Sequence, residues 1–186
     1  MKWLKQIFLI LPVLLILCII LRGTLYRYGV AYKTTGQRAG YEITNDELKE
    51  YIKENRIKKE NTDVEDIIKA SLALTSRTLY FSFSGVDNNP NRLMHSKTAN
   101  CIGYAAFFSL VCNYHLEEYN LSEEWIAIPK VGQLSAFGVN IHNYIDNKFF
   151  KDHDFVIIEN KVTKEAYAVD PSMYDYLYIE YVTLKK

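Results

Sequence analysis

The chain opens on an uncharged, largely apolar run from Ile7 to Leu21, flanked by Lys2, Lys5 and Arg22. Those fifteen residues make about 22 Å of helix against a hydrocarbon core of roughly 30 Å, and Trp3, Leu4 and the stems of Lys5 and Arg22 can lengthen the span by snorkelling. A cleaved signal peptide has an apolar region of similar length. Here, however, Leu21-Arg22-Gly23-Thr24 offers no small-residue cleavage site, and Leu15-Ile16-Leu17-Cys18 is a poor lipoprotein box. Residues 1–22 therefore read as an uncleaved single-pass N-terminal anchor with the soluble domain extracytoplasmic, although Arg22, Arg27, Lys33 and Arg38 weaken the charge asymmetry that sets orientation. Residues 23–42 read as a linker, since Gly23, Gly29, Gly36 and Gly40 interrupt any period. Helical signals begin at Thr44-Asn45-Asp46-Glu47, where Thr44 and Glu47 stand in capping-box spacing, and predict a charged helix from Asp46 to about Lys58. A second capping pattern at Thr62-Asp63-Val64-Glu65 starts a helix whose Ile67, Ile68, Ser71, Leu72, Leu74 and Thr75 follow a 3.6-residue period and which extends to Phe81 or Phe83. Gly85 to Asn91 is turn-rich. Thr98 or Asn100 then caps a third helix, apolar through Val111 and Cys112 and ending near His115 or Tyr119.

From Trp125 the period changes. Trp125 to Ile128 reads as a strand stopped by Pro129, and Val131 to Asn147 has no clear period. Phe155 to Glu159 and Glu165 to Val169 flank Asn160-Lys161 and predict an antiparallel hairpin. Tyr176 to Thr183 reads as a last strand. Helices come first and strands after, which indicates an α+β domain over residues 43–186, its helices packed on an antiparallel sheet.

Composition narrows the function classes. The 186 residues carry 22 basic and 22 acidic side chains. Removing the three basic residues of the leader leaves 19 against 22, a net charge of −3. No electrostatic footprint for nucleic acid exists. Three cysteines are too few for a disulfide framework. Cys101 and Cys112 stand eleven residues apart on one predicted helix, about 16 Å of rise and well beyond the roughly 7 Å that a disulfide spans.

The segment Thr98 to Phe108 carries the candidate chemistry. Cys101 falls in the first turn of an apolar helix, where the partial positive charge of the helix N-terminus favours thiolate over thiol. A lone buried cysteine is more often inert core. What alters that weighting lies 52 and 69 residues downstream, at His153 and Asp170. A hairpin that starts after His153 and returns before Asp170 places both at one end of neighbouring strands, where Cβ atoms stand about 5 Å apart. Cys101 as nucleophile, His153 as base and Asp170 as orienter satisfy the role logic of a catalytic triad. His142 is the rival base, without a matching aspartate. His115 reads as a cation complementing a helix C-terminus. No short paired-ligand spacing supports a metal, so no metal and no cofactor are expected.

Asn100-Cys101-Ile102-Gly103-Tyr104-Ala105, His153-Asp154-Phe155-Val156 and Val169-Asp170-Pro171-Ser172, in that order, resemble the transglutaminase-like superfamily over about residues 62–175. The resemblance implies a papain-like core with a cysteine opening the central helix, and a triad of Cys101, His153 and Asp170. It implies an oxyanion hole built from the Cys101 N–H and a side chain upstream, for which His95 and Asn91 are candidates. The implied activity is that of a membrane-anchored hydrolase or acyltransferase acting on the amide bonds of a peptide or protein through a thioester. Phe155 stands where the family often has tryptophan, and Asn100 where it often has glycine. The alternatives are a non-catalytic domain that binds a peptide or protein partner in the same cleft, and a membrane-tethered structural domain.

Overall fold

A computed structural model describes residues 2–59, 61–84, 86–147 and 150–185. Gly85, first residue of the expected turn-rich loop, lies outside it, as do the side chains of Trp3, Leu4 and Lys5. The body is α+β. Its centre is α6, Cys101–Glu118, buried around nearly its whole circumference, as a helix without a polar face must be. One face (Ala105, Phe108, Cys112, Leu116) packs on Ile67, Ile68 and Leu72 of α4, Val64–Thr78, and on Val156, Ile158 and Val169 of the sheet. The other (Tyr104, Phe107, Val111) packs on Leu48 and Ile52 of α3, Asp46–Glu54, and on Leu93 of α5, Pro90–Ser96.

The helix starts are within one residue of the sequence reading. Asn45 rather than Thr44 caps α3, accepting from the N–H groups of Glu47 and Leu48. Asp63 rather than Thr62 caps α4, in a reciprocal box with Asp66. α3 ends at Glu54, short of Lys58, and α4 ends at Thr78, because Leu79 is extended and leads into β2, Tyr80–Phe81. β2 pairs in parallel with β3, Thr98–Ala99, directly before α6.

The main sheet and the segment that follows it correct three expectations. Its order is β7 (Ala166–Val169), β6 (His153–Asn160), β4 (Trp125–Ala136), β1 (Val30–Gln37), β8 (Thr183–Leu184). The hairpin is present as β6, His153–Asn160, antiparallel to β7, Ala166–Val169. Residues 23–42 are not a linker. They supply α2, Arg22–Gly29, and β1, Val30–Gln37, an internal strand antiparallel to β4 and parallel to β8, Thr183–Leu184. The sheet is thus antiparallel except at its β1–β8 edge. Nor does Pro129 stop the strand: β4 runs Trp125–Ala136. The Pro129 carbonyl accepts from the Arg38 N–H, so its imide nitrogen faces the end of β1 and costs no bond to β6. Farther up β4, Asn113 of α6 covers the side that β1 has not reached, bonding Ala127 through both its amide groups at 2.8 and 2.9 Å. The irregular stretch after Ala136 holds β5, Val139–Asn140, and a 3₁₀ turn, Ile141–Tyr144. The expected last strand is also replaced. Asp170 caps α7, Pro171–Leu177, and Tyr178 closes it in the left-handed region at φ 53°.

The former linker carries one of the body's firmest polar ties. Arg38 holds the Asp154 carboxylate with two bonds of 2.9 and 3.1 Å, and the Asp154 side chain is fully buried. Arg38→Ala leaves that carboxylate without its cation, at an expected cost of about 1.5–3 kcal/mol. The lower urea midpoint at constant slope would report it; an unmoved midpoint would mean that water replaces the guanidinium.

At the N-terminus, α1 spans Lys2–Ile20 and includes Pro12. Among the described residues no single helix is long and apolar enough to cross a membrane; Ile10–Ile20 with Arg22–Gly29 pass that test only as a pair bent by 70°. The described side chains of α1, Phe8 and Ile10 to Ile20, are exposed.

Candidate active site

Cys101 is the first residue of α6. The Asn100 side chain caps the helix by accepting from the N–H groups of Ile102 and Gly103 at 3.0 and 3.3 Å. The Cys101 N–H is one of the four that helix geometry leaves without an intrahelical partner, so it can serve a developing oxyanion. Gly103 lets this first turn approach its neighbours: a Cβ there would stand 2.8 Å from the Ala99 Cβ.

The hairpin register pairs Val156 with Val169. His153, at the start of β6, and Asp170, just past β7, therefore meet at one end. The His153 Nε2 lies 2.6 Å from Asp170 Oδ2. Asp170 is fully buried and doubly occupied. Its Oδ1 accepts from the N–H groups of Ser172 and Met173, both at 3.1 Å, and from the Ser172 hydroxyl at 2.7 Å. Its Oδ2 accepts from His153 and from the Tyr32 hydroxyl at 2.7 Å. An ionised carboxylate only accepts, so Nε2 must carry the proton and Nδ1 is left as the basic nitrogen.

The electrostatics agree with this arrangement. Burial opposes charge on the His153 ring, but the Asp170 charge and hydrogen bond, with Cys101 as a further hydrogen-bond and charge partner, hold it well above the usual imidazole value. Burial likewise opposes charge on Asp170, yet His153, Ser172 and Tyr32 keep its carboxyl below the usual carboxylate range. Burial, then the Asp170 charge, pushes the Tyr32 phenol well up, so it stays a donor.

Cys101 and His153 open into a cavity of about 610 Å³ whose other walls include Phe81, Leu134, Ile141, Met173 and Leu177. That volume lies in the ordinary range for sites that take small molecules, roughly 300–1,000 Å³. Among the described residues no group of three or more His, Cys, Asp or Glu is placed to hold a metal.

No protein-family model, curated protein or solved structure matches this chain.

The structure brings Cys101, His153 and Asp170 together and leaves the two upstream oxyanion candidates elsewhere. Asn91 spends its amide on residues 42–45, accepting from the Thr44 N–H at 2.8 Å and donating to the Glu42 carbonyl at 2.9 Å. His95 is exposed beside Glu47 at 3.4 Å and lines a different surface depression. His142 does line the Cys101 cavity. Its Nδ1 donates to the Phe150 carbonyl at 2.6 Å, and its buried Nε2 has no partner among the described residues. It has no carboxylate to orient it as a base. His115 is a core residue rather than a cation: burial lowers its pKa to about 4. Sequence reasoning missed Tyr32 and, behind it, Tyr26, whose hydroxyl stands 2.6 Å from that of Tyr32. It also missed Ser172. Asp170-Pro171, a capping residue followed by proline at the first helical position, was the local signal for α7 and hence for Ser172.

Proposed function

We propose that this chain is a membrane-anchored cysteine enzyme of transglutaminase-like type, with a papain-like core, acting on amide bonds through a thioester. The single observation that carries this reading is the 2.6 Å bond from buried Asp170 to His153, which lines the same cavity as Cys101. The Cys101 thiol passes its proton to His153 Nδ1. The sulfur attacks the amide carbonyl carbon, and the Cys101 N–H faces the developing oxyanion. As the C–N bond breaks, the departing amine takes the proton from Nδ1. Water, or a second amine, then gives a proton to Nδ1 and attacks the thioester; the C–S bond breaks and the thiol recovers its proton. A peptide or protein supplies the amine side of the amide that this chemistry opens, and α1 ties the domain to an extracytoplasmic membrane face. The exposed apolar side chains of α1 support the tether.

The test compares two thiols in a Cys18→Ala background. Cys112 is fully buried, and burial pushes its thiol up to about 12. Iodoacetamide should therefore label Cys101 first, at least tenfold faster at neutral pH, by the general dependence of thiol reactivity on thiolate and access. Cys101 labelling should slow in His153→Ala. Equal labelling of the two thiols in the folded protein would overturn the reading.

A further inference from the structure

Resting on the reading of Cys101 as nucleophile, we propose that the acyl group it accepts is an extended aliphatic chain, so that the substrate is an N-acyl amide entering from the bilayer. The cavity walls argue for hydrocarbon. Phe81, Leu134, Ile141, Met173 and Leu177 present carbon. Of the polar groups beside them, His153 and Ser172 are engaged with Asp170 and His142 Nδ1 with the Phe150 carbonyl, Asp152 is exposed, and among the described residues His142 Nε2 alone is buried and open to a ligand. A peptide on the acyl side would bring several backbone N–H and C=O groups into this space, where His142 Nε2 could accept from one and the others would lack partners, which is costly. An alkyl chain brings none.

The route into the cavity argues for the bilayer. Leu177, at the end of α7, forms part of the rim, and its carbonyl accepts from Arg22 Nε at 2.5 Å. The Arg22 guanidinium also lies 5.9 Å from the centre of the Tyr178 ring. Arg22 follows the last residue of α1 by two positions. The cavity mouth and the end of the exposed apolar helix are therefore joined. Phe83, Tyr176 and Leu177, all lining the cavity, are each more than 40% exposed and give its opening an apolar edge.

In the reaction, the Cys101 sulfur bonds to the acyl carbonyl carbon, the C–N bond breaks and the amine leaves with the proton from His153. The chain stays in the cavity as a thioester until water cleaves the C–S bond and releases a carboxylic acid.

The test uses the full chain with Cys18→Ala in phosphatidylcholine vesicles. p-Nitrophenyl esters from acetyl to decanoyl are the probes, and peptide mass mapping locates the adduct. The expected kcat/KM rises by roughly fourfold per buried methylene until the cavity is filled. Met173→Trp and Leu177→Trp, which shorten the cavity, should move the optimum to shorter chains. The decanoyl ester should also react faster when it shares a vesicle with the protein than when offered from protein-free vesicles. A Cys101 adduct formed at a rate independent of chain length would overturn the proposal and leave the nucleophile standing. The same slope in both tryptophan variants would reduce the effect to partitioning and overturn it too. Equal rates from the two vesicle arrangements would overturn entry from the bilayer. No adduct from any ester, acetyl included, would overturn the reading of Cys101 itself.

Discussion

Asp170→Asn should lower turnover about 10⁴-fold while the helix–sheet body stays folded. The reason lies in which oxygen does what. Oδ1 takes the three donors that open α7, so the side-chain carbonyl oxygen of asparagine is required there. The NH₂ group must then occupy the place of Oδ2, facing His153 Nε2 and the Tyr32 hydroxyl. Two donors now oppose a donor. The simplest relief moves the imidazole proton from Nε2 to Nδ1, and a ring protonated at Nδ1 can no longer accept the Cys101 proton. Turnover of the acetyl ester, with circular dichroism as a check on folding, measures the effect. A variant that folds and turns over like the parent would remove Asp170 from the mechanism. Rotating the amide the other way would restore His153 but break the α7 cap, at a cost of about 1–3 kcal/mol for buried donors left unpaired.

Phe155→Ala should cost about 3–5 kcal/mol of stability, the usual range for removing a buried phenylalanine. Phe155 is fully buried, and its ring centre lies 5.2 Å from that of Tyr32 in an edge-to-face contact. Around it stand Leu134, Ile157, Ala168, Ile179 and Val182, on the sheet face away from α6. The strand beside it is bare at Gly132 to admit the ring: a Cβ there would lie 2.6 Å from Phe155 Cε1 and 2.9 Å from the Lys33 carbonyl oxygen. The vacated space therefore has no neighbouring side chain ready to fill it. It also lies under Tyr32, the second donor to Asp170, so lost stability and lost orientation of the triad should travel together. A urea titration gives the first and ester turnover the second. A loss below about 1 kcal/mol would mean that this face collapses onto the gap.

Local chemistry determined much of the site. Asn100 and the apolar run behind it place Cys101 at the head of a buried helix, because capping and a 3.6-residue period act within one segment. His153 and Asp170 share an end because a strand, a short turn and a returning strand have fixed lengths. The helix caps at Asn45 and Asp63 follow from side-chain oxygens two or three residues from the N–H groups they satisfy. What the sequence alone could not decide was set by partners far along the chain. Val30 to Gln37 is glycine-flanked and weakly patterned; it becomes a strand because β4, about a hundred residues later, and β8 offer it hydrogen bonds on both sides. Only then does Tyr32 reach Asp170. Pro129 sits inside β4 because β1 ends where its missing N–H would have pointed. His115 is neutral because the packed core excludes the water that would solvate its charge, and Asn91 and His95 are drawn away from Cys101 by the segment around Thr44 and by Glu47. Capping, periodicity and turn length are short-range and could be read along the chain, whereas the identity of a strand's neighbour, and the cavity left between packed elements, exist only once distant segments have met.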